Sequence, residues 1–128
     1  MSPDAYAIGV RQTMDDAYLY GMGEEITLST TGEKIKRGTP YDFVALTDHA
    51  EYLGVFTQLA DPKSPLAGNA IAKLINSPDP ADNNKAASEV IASITSSAPA
   101  GPFLDFVDPK IIRSNWKRHV ETANKYNK

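Results

Sequence analysis

Asp48 and His49 stand side by side at the end of an apolar run, Phe43-Val44-Ala45-Leu46. Neutral imidazole is the commonest protein metal ligand, and a neighbouring carboxylate can ligate with it or orient it. In α/β folds such groups gather where strands end, because the loops there vary without disturbing the sheet. Successive strand residues point to opposite faces, so only one of the pair points straight into a site. The same two residues also read as local structure, with Asp48 capping a following helix and His49 packed in its first turn. Their spacing leaves both readings open.

The rest of the composition narrows what the pair can do. The chain has 128 residues, two histidines and no cysteine, which removes disulfides and thiolate metal sites. Its hydrophobic content of 41% and charged content of 23% are those of one globular domain, residues 1–128, with its own core. A net charge of −3 argues against a nucleic-acid surface. No membrane-length apolar run and no signal peptide opens the chain, which suits a cytoplasmic protein with no membrane partner.

The elements that would position the pair are mostly helical. Thr13 with Asp16 forms a capping-box pattern ahead of Met14, Ala17, Tyr18 and Met22, a short helix to Gly21 or Gly23. "EEITLSTTGEKIKRG" reads as a hairpin turning at Thr30–Gly32. Lys34, Lys36 and Arg37 lie in it opposite Glu24 and Glu25, a salt-bridged pattern rather than a basic patch. Pro40–Leu46 lacks alternation, as a strand covered on both faces does.

A helical stripe follows immediately, on Tyr52 or Leu53, Phe56 and Leu59. A second stripe holds Ala67, Ala70, Ile71, Leu74 and Ile75, and ends in the "NSPDP" punctuation at 76–80. Asn83 or Asn84 caps a third, with Ala87, Val90, Ile91 and Ile94 inward. After a loop at 96–102, Asp108 and Pro109 start a last helix, with Ile112, Trp116, His119 or Val120, and Ala123 as its apolar stripe. Phe103, Phe106 and Trp116 read as core or interface anchors. The class is α/β or α+β, with one buried strand and a hairpin.

Three stretches carry a family resemblance: "SPDAYAIG" at 2–9, "DDAYLYGMGEE" at 15–25 and "YDFVALTDHAEYLG" at 41–54. Together they resemble the PHP (polymerase and histidinol phosphatase) superfamily. The nearest branch is an uncharacterised one, domain of unknown function 3604, and "WKRHVETANKYN" at 116–127 is similar to its Trp-led helix. The resemblance implies part of a distorted (β/α) barrel that holds two or three divalent metals, Zn, Mn or Fe. It implies metal-assisted hydrolysis of a small phosphorylated substrate.

His49 then matches a strand-end metal ligand and Asp4 an acid that also ligates. Asp48 becomes a positioning carboxylate, with Glu51 a weaker candidate beside it. The superfamily's opening His-x-His belongs just before "SPDA", where Met1 stands, and its downstream histidines are not in this chain. The resemblance therefore implies an N-terminal fragment, inactive alone, whose divalent metal belongs to the full-length parent. Arg11 is the residue that could reach an anionic substrate, against the plainer reading of a solvated arginine. His119 reads as a packing or surface residue on the last helix.

A different class of function is equally open on the residues. It is a non-catalytic α/β module in which "TDHAE" is structural and apolar helix faces are buried against a partner. Either way, exposed apolar surface predicts self-association.

Overall fold

In a computed structural model of the chain, the described residues are 5–6, 10–49, 52–96 and 100–127. They form five α-helices, one 3-10 helix and a two-stranded sheet. The first helix, α1 (Met14–Gly21), begins at the expected capping box. The Thr13 hydroxyl accepts the Asp16 N–H, and the Asp16 carboxylate accepts the Thr13 N–H. The hairpin follows as β1 (Ile26–Thr27) and β2 (Lys34–Ile35), antiparallel, with Ile26 opposite Ile35. Gly32 takes a positive φ of 74° in its turn, and Lys34 pairs with Glu25 at 2.8 Å.

The structure departs from expectation after Pro40. Residues 40–49 form no strand, and the described residues show no barrel. Burial alternates instead. Val44, Leu46 and Asp48 are half-buried, while Phe43, Ala45, Thr47 and His49 are exposed. Phe43 is 85% exposed. A strand needs a neighbouring strand to pair with, and the described sheet holds only β1 and β2. The apolar run therefore rests on one face only.

Residues 52–54, where the helical stripe was expected to begin, form a turn. Tyr52 and Gly54 both take positive φ, 54° and 68°, and the turn they make delays α2 to Val55–Leu59. Gly54 is its N-cap and no side chain caps it, so Asp48 is not a helix cap.

Two helices follow as a packed pair, α3 (Ala70–Ile75) and α4 (Pro80–Ile94). Asn69 caps α3. Asp79 caps α4 with Pro80 at its start, so α4 begins inside the segment read as punctuation and ahead of Asn83. Proline is well suited there, because a first-turn N–H has no helical partner anyway. The inward side chains of α4 include Ala86, Val90 and Ser93, while Ile91 is exposed. A 3-10 helix (Gly101–Val107) overlaps the expected loop, and α5 (Pro109–Tyr126) starts where Asp108-Pro109 predicts.

The core centres on Phe106, which is 0% exposed. Tyr52, Phe56 and Phe103 meet its ring edge-on, with centroids 5.7, 5.8 and 5.1 Å away. Edge-to-face pairing of this kind adds stabilisation beyond the area buried. Val55, Leu59, Leu66 and Ile71 fill the space around it.

The phase of α5 differs from the apolar stripe. Its buried residues are Ile111, Asn115 and Thr122, while Ile112, Trp116 and Val120 face outward. Trp116 is 59% exposed. The end of α5 is tied to α1, where Tyr126 stacks on Tyr18 at 5.2 Å and donates to the Asp15 carboxylate at 2.7 Å. Lys125 pairs with the same carboxylate oxygen.

Removing the central ring tests this core. Phe106→Ala should cost about 3–5 kcal/mol in urea unfolding, against less than about 0.5 kcal/mol for the exposed Leu104→Ala. Equal midpoints for the two variants would show that the ring cluster is not the core's centre.

The α1–α5 tie has a pH signature. Hydrogen bonds from Lys125 and then Tyr126 hold the Asp15 carboxyl below the usual carboxylate range. A lowered folded pKa contributes stability above the unfolded value of about 4 and loses it as pH falls through the folded value. The bond to Asp15 holds the Lys125 ammonium above its usual range, so that contribution fades only at strongly alkaline pH. Asp15→Asn should therefore lower Tm at pH 7, and the difference should close as pH falls to about 2. A Tm difference independent of pH would remove the ion pair from the account.

Candidate functional site

The site is built where the 43–57 segment lies over the inner face of α5. Gly54 approaches that face closely. A Cβ on it would stand 3.0 Å from both Cγ and Oδ1 of Asn115, and its φ of 68° is one that side chains rarely adopt. Asn115 is 6% exposed, and its Oδ1 accepts from Gln58 Nε2 at 2.6 Å. One turn further along α5, His119 comes under the 43–49 run. Its Nδ1 is 4.0 Å from Asp48 Oδ2 and its Nε2 is 3.5 Å from the Leu46 carbonyl oxygen. The Asp48 and His119 side chains are only 17% and 15% exposed. The Trp116 ring lies parallel to the imidazole at 6.3 Å, bounding His119 from the outer side of α5.

Asp48 faces an imidazole, and it is that of His119. His49 is exposed on the opposite side of the run and holds a contact of its own. Asp4 and Glu51, the acids expected to join it, lie outside the described residues. Among the described residues no three His, Asp or Glu side chains come together as a metal site.

Arg11 is exposed and also held by its neighbours. Its guanidinium lies over the Tyr6 ring at 3.6 Å, and Nη1 donates to the Tyr6 and Val10 carbonyl oxygens at 2.7 and 2.9 Å. Stacking and two backbone acceptors fix the group in place. Arg11 also lines a cavity of about 320 Å³ that runs along α5, a size in the lower range of small-molecule sites. Gly54, Asn115, Arg118 and His119 share that lining.

Asn115, Arg118 and Gly54 escaped the sequence reading. The signal was the spacing of Arg118 and His119 three and four residues after Asn115, which places polar groups on one helical face. It was masked because the apolar stripe 112, 116, 120 ran on another face of the same helix.

No helix among the described residues is long and apolar enough to cross a membrane. No curated protein and no solved structure matches the chain. The family model described as "Protein of unknown function (DUF3604)" matches residues 1–128, and the chain belongs to that family.

Proposed function

We propose that this chain supplies part of the active site of a metal-dependent hydrolase of the PHP type, acting on a small phosphorylated substrate. In this reading His49 and Asp4 are metal ligands, Asp48 positions an imidazole, and Arg11 belongs to the substrate side. The observation that supports it is the approach of Asp48 to His119 at 4.0 Å beneath the run that presents His49. At 4.0 Å the two are at ion-pair distance, and carboxylate–imidazole pairs recur around metal and acid–base sites. The resemblance carried by "TDHAEYLG" supplies the reaction class.

The described residues do not by themselves fit a two- or three-metal centre. No group of three ligands forms among them, so the proposal requires ligands beyond those described. When bound, divalent metal would activate water for attack on the ester. No step is assigned to it from these residues, and the chain alone is expected to fall short of a working enzyme.

Titration of the purified chain with Zn²⁺ and Mn²⁺, followed through the imidazole resonances, tests the ligand assignment. His49→Ala should weaken binding at least about tenfold, in line with loss of one of few ligands. His119→Ala should act less, because its ring is engaged with Asp48. Binding indifferent to His49→Ala would overturn the assignment.

A second reading, an interaction module, is supported by a different observation. Ile112, Trp116 and Val120 form an exposed apolar stripe on α5, and Phe43 stands exposed on the 43–49 run. Contiguous apolar surface of this kind marks a contact face. Sedimentation should show concentration-dependent association that Trp116→Ser together with Phe43→Ser abolishes. A monomer at every concentration would end this reading.

A further inference from the structure

We propose that α5 is a homodimer contact: two copies of the helix pack antiparallel along the Ile112, Trp116 and Val120 row, with Trp116 at the two-fold axis. The proposal rests on the interaction-module reading and adds to it the occupant, the direction and the register of the contact.

The first observation is the spacing of the row. Ile112 and Val120 stand one four-residue step to either side of Trp116, and all three side chains are exposed on the outer face of α5. Rows at that spacing are the ridges by which helices pack on one another. Reversing the row about Trp116 exchanges its two ends. An antiparallel copy therefore sets each Ile112 against a Val120, and Trp116 against its own equivalent. A face that meets itself in this way is what a two-fold, isologous contact requires. Tryptophan is favoured at the centre of such contacts, and here its ring is already backed by that of His119, parallel at 6.3 Å.

The second observation is charge. Arg113, Lys117 and Glu121 each follow a residue of the apolar row by one position, and all three are exposed along one flank of it. In an antiparallel pair this flank meets its own equivalent in reverse order. Arg113 of each copy then lies beside Glu121 of the other, two ion pairs from one sequence. Charges that flank an apolar seam set the direction in which helices pair. Lys117, which comes nearest its own equivalent, is already paired with Glu121 of the same helix at 3.6 Å, so that carboxylate joins both cations. A parallel pair would instead set like residues of the row together and align the two helix dipoles, which the antiparallel pair opposes.

The chain has no cysteine and one tryptophan, so introduced thiols and Trp116 emission both report on the contact. The side chains to be exchanged are exposed, so the variants keep the fold. Under mild oxidation, Ile112→Cys mixed with Val120→Cys should give a disulfide-linked heterodimer, while neither variant links to itself. Trp116 emission should move to shorter wavelength as the concentration of the unaltered chain rises. In sedimentation, Glu121→Arg should weaken the dimer about fivefold, and adding Arg113→Glu to the same chain should restore it. Self-linked Ile112→Cys shows a parallel pair and overturns the proposal. Association without the mixed disulfide also overturns it, and leaves the interaction-module reading standing on another surface. A monomer whose Trp116 emission shifts only with phosphatidylglycerol vesicles gives the face to a lipid surface and overturns the pairing. A monomer indifferent to vesicles ends both the pairing and the module reading.

Discussion

The close approach of Gly54 to Asn115 is the constraint on which the site depends. A backbone can rest on a helix side chain at that distance only where no Cβ intervenes, and the positive φ that turns the chain there also favours glycine. The contact fixes three things together. It starts α2 at Val55, it brings Gln58 within hydrogen-bonding reach of Asn115, and it makes Asn115 and Gly54 common walls of the cavity. Four residues further along the same helix, His119 is placed beneath Asp48 by the helical repeat.

Phe106 holds the other side of α2. With Tyr52, Phe56 and Phe103 around it, the ring anchors the turn and the first helical turn that follow Gly54. The 52–59 segment is thus pinned between an aromatic cluster and the polar face of α5. Groups that belong to this clamp are pre-positioned by packing and by hydrogen bonds rather than by a bound molecule. Arg11 joins it from the N-terminal side through Tyr6, whose ring lies 6.1 Å from Phe56.

What was legible in the sequence was chemistry that acts over three or four residues. The Thr13–Asp16 box, the Gly32 hairpin and the Asp108-Pro109 start all appear where their residue types place them. What was not legible depended on partners far along the chain. An apolar run such as 43–46 becomes a strand only beside another strand, and periodicity cannot supply one. On α5 the apolar stripe suggested the wrong inner face. The true inner face is polar because Gly54, Gln58 and Asp48 reach it from segments about 55–70 residues away in sequence, distances no helical pattern encodes. The acid of the Asp48-His49 pair was seen, but its facing imidazole came from α5 rather than from its neighbour.

This division of α5 into a polar inner and an apolar outer face bears on both functional readings. The cavity residues Gly54, Thr57 and Asn115 sit beside elements fixed by the core. His49 sits instead on a run with an exposed outer row, from Phe43 to His49, and holds a contact of its own. A metal ligand must hold its position to a few tenths of an ångström. A partner seated on that row would cover Phe43 on the same side as His49. The interaction surface and the proposed metal site are therefore not competing demands on the sequence. Both use the same exposed row, whereas the cavity beside Asn115 is lined from α2 and α5.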